Sequence, residues 1–169
     1  MIANREWSSR PDDQRFLSLA ELKASVATRK QESWTVEGKP SDLCLLPGPD
    51  NTLGVKVFDR VHQEDRILTP THFSFGQLAQ YAQAPGSYLR TIPSELAAIN
   101  LQWGLEHNPV RDNVLTLAQS NGEHKLRAMT STSYGRIWDS QVVDAVEHVN
   151  QSGRWHVPAA SYAATNPKR

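Results

Sequence analysis

The spacing of apolar residues switches along the chain between period two and the wider repeat of a helix. Ser18-Leu19-Ala20-Glu21 reads as a capping box, with Leu17 and Leu22 as its hydrophobic staple. It predicts a helix from about Leu19 to Thr28 that buries Leu19, Leu22 and Val26. Short alternating or apolar runs predict strands over Gln31–Glu37, Asp42–Leu46 and Leu53–Phe58, with a brief one at Ile67-Leu68. Gly38-Lys39-Pro40 and Pro47-Gly48-Pro49-Asp50-Asn51 mark breaks and turns between them. From Thr71 the repeat becomes helical. One helix is predicted over 73–83, with Phe75, Leu78, Ala79 and Ala82 on its inner face, and another over 94–107, with Leu96, Ile99 and Trp103 as its buried stripe.

The next stretch carries the strongest local signal. Asn121-Gly122 lies between two alternating runs, the signature of a two-residue hairpin turn. That turn would set Ser120 opposite Glu123, Leu117 opposite Leu126 and Leu115 opposite Ala128. Leu115, Leu117, Leu126 and Ala128 would then be buried on one face. Thr116, Ala118, Lys125 and Arg127 would form a mildly cationic outer face. Asp139 is the expected N-cap of a final helix with Val142, Val143, Val146 and Val149 on its apolar side. Hairpins with segregated helices predict an α+β fold, an antiparallel sheet carrying three or four helices. The polar residues 1–16 read as a loose arm, 17–158 as a single domain and 159–169 as a polar tail.

Two runs carry a resemblance. Phe75-Gly76-Gln77-Leu78-Ala79, then Ala84-Pro85-Gly86-Ser87-Tyr88-Leu89, Pro93 and Leu96-Ala97-Ala98-Ile99-Asn100-Leu101 form the first, and Leu126 to Asp139 the second. Across roughly residues 30 to 150 the chain resembles a phage- and plasmid-borne family described only as a domain of unknown function. The resemblance implies a mobile-element setting and transfers no catalytic residue. Longer members of that family continue beyond the final helix, whereas this sequence stops at Arg169, as a shortened relative or one half of a larger site would.

Composition narrows the choice of function. With 18 Lys plus Arg against 18 Asp plus Glu, the chain lacks the excess positive charge that coats nucleic acid non-specifically. The only cysteine, Cys44, forms no intramolecular disulfide and reads as a small buried hydrophobe. The N-terminal residues show no apolar core of a signal peptide and no run approaches about 18 apolar residues, so the expected location is the cytoplasm, off the membrane.

Catalytic chemistry is sparse. None of the six histidines forms a zinc-type pair, and no Gly-rich phosphate loop or nucleophile elbow occurs. Asp59, His62, Glu64 and Asp65 could surround a divalent ion, but their plain reading is a charged hairpin loop. The hydroxyls of Thr130 to Ser133 lack a base at fixed spacing and suit local backbone bonding. No cofactor, metal or enzymatic activity is expected.

Two binding readings follow. The first is a contact with a host protein, as an anti-defence factor such as an inhibitor of a CRISPR effector. Its anchors would be Trp7 and Trp155, in the least patterned regions, since tryptophan is enriched at interface hot spots. The alternative is an accessory protein for single-stranded nucleic acid or DNA recombination. There Lys125, Arg127 and Arg136 would contact phosphates and Tyr134 would stack on a base.

Overall fold

A computed structural model of the chain describes residues 16, 18–60, 62–108, 112–120, 123–151 and 153. They form an α+β fold in two compact units. One comprises the described residues up to Gln31 and from Arg136 onward, and the other is Glu32–Gly135.

The larger unit is built on six strands: β1 (Ser33–Gly38), β2 (Cys44–Pro47), β3 (Leu53–Asp59), β4 (Glu64–Pro70), β5 (Val114–Ser120) and β6 (His124–Ser131). They lie in the order β1-β5-β6-β4-β3-β2. Every pairing is antiparallel except β4 with β6, so the sheet is mixed and not wholly antiparallel as expected. That parallel pairing joins two consecutive hairpins through a crossover that holds three helices, α2 (His72–Tyr81), α3 (Gly86–Leu89) and α4 (Ser94–His107). The stretch between Asp59 and Arg66 is less of a loop than expected, because β3 and β4 nearly meet there as a tight hairpin.

Local chemistry places the helices. The Thr71 side chain accepts from the Ser74 N–H at 3.3 Å and starts α2. Ser74, fully buried, donates its hydroxyl to the Leu126 carbonyl at 2.7 Å and ties α2 to β6. Asp50 and Asn51 adopt left-handed backbone in the turn after β2, a conformation that Asp and Asn tolerate best after glycine. Asn51 there accepts from the Ser94 N–H at 2.6 Å at the start of α4. The core includes Val55, Leu68 and Leu126 from the sheet, Leu78 from α2, and Leu101 and Leu105 from α4.

Two buried faces differ from expectation. In the β5–β6 hairpin Ser120 pairs with His124, not Glu123, so three residues separate the strands instead of two. The register slips again at Leu117/Ala118, where Arg127 is the extra residue of a β-bulge. A slip of one residue exchanges the faces of a strand. Val114, Thr116 and Ala118 are therefore buried, with Leu126 and Met129, while Leu115, Leu117 and Ala128 are only half-buried. Lys125 and Arg127 are half-buried too, not the open pair expected.

The second difference is in α4. It buries Ala97, Ala98, Leu101, Gly104 and Leu105, and leaves Leu96, Ile99 and Trp103 exposed. Small residues decide this. A Cβ on Gly104 would stand 2.3 Å from the Ala82 carbonyl oxygen, so only that face lets α4 approach the end of α2. Asn108 closes the same junction, donating from Nδ2 to Ala82 O at 3.0 Å.

The smaller unit holds α1 (Leu19–Gln31) and α5 (Asp139–Asn150). Ser18 caps α1 as its box predicts, accepting from the Glu21 N–H at 3.1 Å, while the proposed staple residue Leu17 lies outside the described residues. Val26 is buried, and Leu19 and Leu22 are half-buried. The cap of α5 is Trp138 and not Asp139: its N–H donates to Gln141 Oε1 at 2.8 Å. Val143 is buried, whereas Val142, Val146 and Val149 are about half exposed. Lys23 joins the helices by ion pairs to Glu147 at 2.6 Å and Asp144 at 3.3 Å. No helix among the described residues is long and apolar enough to cross a membrane.

Candidate functional site: an apolar groove on α4

The residues proposed for nucleic acid are divided between the two units. Lys125 and Arg127 lie on β6, and the Lys125 amine is 3.1 Å from Glu123, which neutralises it locally. Tyr134 is exposed in the larger unit, and Arg136 belongs to the smaller one. There the Arg136 guanidinium lies 5.3 Å from the centre of the Trp138 ring, and Lys30 approaches the same ring at 5.8 Å. Trp138 is thus engaged by cations of its own unit. Trp7, Trp155 and the Asn121-Gly122 turn lie outside the described residues.

The acidic hairpin is an ion-pair cluster. Asp59 is 1% exposed, at the inner end of β3. Its Oδ2 is 2.6 Å from His62 Nδ1 and 2.9 Å from Arg66 Nε, the latter off the line of the N–H and so an ion pair more than a hydrogen bond. Arg66 also reaches Glu64 at 2.7 Å and lies 5.9 Å from the Trp34 ring centre, while Asp65 pairs with Lys56 at 2.6 Å. Of the four residues considered for a metal, Asp59 and Glu64 thus pair with Arg66 and Asp65 with Lys56, while His62 bonds Asp59. Among the described residues no three His, Cys, Asp or Glu side chains converge to hold an ion. In the hydroxyl run Ser131 and Ser133 bond each other at 3.1 Å through their side chains, not to backbone as expected, and the buried Thr130 hydroxyl makes no hydrogen bond among the described residues.

One exposed apolar surface among the described residues is a face that the sequence pattern assigned to the core. Leu96, Ile99 and Trp103 are 50%, 64% and 60% exposed at i, i+3 and i+7 on α4. His107 extends the ridge, its ring stacked on Trp103 with centroids 4.4 Å apart. Beside the ridge a groove of about 410 Å³ runs between α4 and β2. Leu45 and Pro47 form one wall, Ala98, Ile99, Gln102 and Trp103 the other, and Glu95 and Glu106 flank it. Cys44, on the same edge strand, is exposed and not buried as expected: the alternation of β2 turns Leu45 inward and its neighbour out. The signal for the true buried face was Gly104 beside Ala97 and Ala98, a small-residue patch within a helix of otherwise larger apolar side chains.

No protein-family model, curated protein or solved structure matches the chain.

Proposed function

We propose that the chain is a non-enzymatic binding protein of phage or plasmid origin that acts by engaging a host protein, with the outer face of α4 as its contact surface. The observation that carries this reading is the exposed ridge of Leu96, Ile99 and Trp103 beside an apolar groove. Scattered apolar residues are ordinary on a protein surface, but a contiguous ridge that ends in a tryptophan and carries charge only at its flanks has the make-up of an interaction site. The family resemblance in residues 30 to 150 suggests the setting, a mobile element meeting its host, where a defence component such as a CRISPR effector is the natural target. The neutral balance of 18 cationic and 18 acidic residues also favours a protein partner over bulk nucleic-acid binding.

The test is affinity capture from a bacterial lysate, with and without nuclease, using the full chain and a Trp103→Ala variant in parallel. A nuclease-resistant, stoichiometric protein is expected with the parent chain. Truncating a central interface tryptophan typically costs about 2 kcal/mol or more, roughly 30-fold in affinity, so the variant should lose that protein on washing. Recovery of nucleic acid alone would instead support the accessory reading based on Lys125, Arg127, Tyr134 and Arg136. A partner held equally by the variant would move the contact surface off α4.

A further inference from the structure

We infer that the partner segment received by this groove is an amphipathic α-helix with basic residues flanking its apolar side, an inference that rests on the protein-binding reading above. A site made of a sheet edge and a helix can take a protein segment in two ways. The segment adds to the edge as a further strand, or it lies along the side chains as a helix. Strand addition needs backbone N–H groups free on the edge. The outer side of β2 has none to offer. The N–H of Leu43, just before the strand, donates to the Pro40 carbonyl at 3.2 Å. Leu45 N–H donates to Gln102 Oε1 at 2.8 Å, and Pro47 has no N–H. Gln102 Nε2 also donates to the Leu43 carbonyl at 3.2 Å, so one side-chain amide takes the Leu45 donor and the Leu43 acceptor on that side, and a neighbouring strand finds no backbone donor there. Cys44 and Leu46, the alternate residues, turn toward β3 in the antiparallel ladder. The edge is closed by the means that protect native sheets from unwanted pairing.

A helix needs no donor or acceptor from this edge, because its backbone is bonded internally. It requires only a ridge of side chains to pack against, which Leu96, Ile99 and Trp103 supply at the spacing that helix pairs use. The charge pattern sets the rest. Glu95 and Glu106 flank the groove, and no Lys or Arg lines it. Eleven residues apart on one helix, they stand roughly 16 Å from each other at 1.5 Å per residue. A partner helix with lysine or arginine near both ends of its apolar stripe, about three turns apart, complements both carboxylates.

Fluorescence anisotropy with the full chain and three labelled peptides of about 18 residues, five helical turns each, tests the inference. One is a helix-forming Leu/Lys peptide, the second keeps the leucines and replaces lysine with glutamate, and the third alternates Val and Thr with lysines as a strand former. The Leu/Lys helix should bind at least about tenfold more tightly than either other peptide, and Trp103→Ala should remove that advantage. A double Glu95→Lys, Glu106→Gln variant, which keeps at 106 the side-chain oxygen that accepts from Gln102 Nε2 at 2.8 Å, should reverse the preference toward the Leu/Glu helix. Equal or tighter binding of the strand former, a preference that survives charge reversal, or failure to bind any peptide would overturn the inference. So would self-association of the chain that is lost in Trp103→Ala, which would make a second copy the occupant. Lysate capture separates the two levels. A protein lost from Trp103→Ala without Leu/Lys binding refutes the partner chemistry alone, and capture unaffected by Trp103→Ala refutes the face itself.

Discussion

Alanine placed at two helix glycines should move stability in opposite directions. In a free helix position, Gly→Ala stabilises by roughly 0.5 to 1 kcal/mol, because glycine loses the most backbone freedom on folding. Gly76 in α2 is such a position: it is exposed, and the nearest atom to an added Cβ is an Arg90 guanidinium nitrogen at 3.8 Å, an ordinary contact. Gly104 in α4 is not. Its Cβ would meet Ala82 O at 2.3 Å and Ala82 Cβ at 2.8 Å, where ordinary contact begins about an ångström further out. The obstacle is backbone, further held by Asn108, and it cannot swing aside as a side chain would. Overpacking of this kind costs about 1 to 3 kcal/mol, and a clash with backbone falls in the upper part, about 2 to 3, so after a propensity gain of up to about 1 kcal/mol Gly104→Ala should lose a net of about 1 to 2 kcal/mol. In urea, at roughly 2 kcal/mol per molar, the midpoint should fall by about 0.5 to 1 M for Gly104→Ala and rise by about 0.3 to 0.5 M for Gly76→Ala. If Gly104→Ala proves as stable as the parent, α4 does not pack on α2 through this face, and the exposure of Leu96, Ile99 and Trp103 loses its basis.

Three further outcomes are expected. Arg66→Ala should destabilise the larger unit by roughly 3 kcal/mol in urea unfolding, because it removes the cation beside the buried Asp59 carboxylate; a smaller loss in an Asp59→Asn, Arg66→Ala double variant would identify that buried charge as the cause. Hydrogen bonds to Glu147 and then Asp144 raise the Lys23 pKa above its usual 10.5, so the stability this amine contributes is complete below about pH 10 and lost as pH rises through the higher folded value; thermal unfolding across alkaline pH should show that loss in the parent and not in Lys23→Met. Cys44, exposed on β2, should react completely with a thiol reagent in the native protein, whereas a thiol that reacts only after denaturant is added would mean β2 faces the other way.

The sequence by itself determined the fold class and nearly all of the elements. Those signals are local: the Ser18–Glu21 box, the breaks around Pro40 and Pro47, the helical repeat after Thr71 and the period-two runs at Val114 and Leu126 act within a few residues of chain. What it could not determine was which side of an element faces inward when both are apolar. In α4, Leu96-Ile99-Trp103 and Ala97-Leu101-Gly104-Leu105 follow the same helical period, and the choice was made by a contact with Ala82, more than twenty residues earlier. In the β5–β6 hairpin, the faces depended on two single-residue slips, a third residue in the turn, which inverted β5, and the bulged Arg127, which shifted β6, and one residue is enough to invert a strand. The candidate site was hidden for the same reason: its ridge is spelled like a core helix face, and only the tertiary packing left it uncovered. The closed edge of β2 has the same origin, since Gln102 lies 57 residues from Leu45 and nothing near either residue announces the bond.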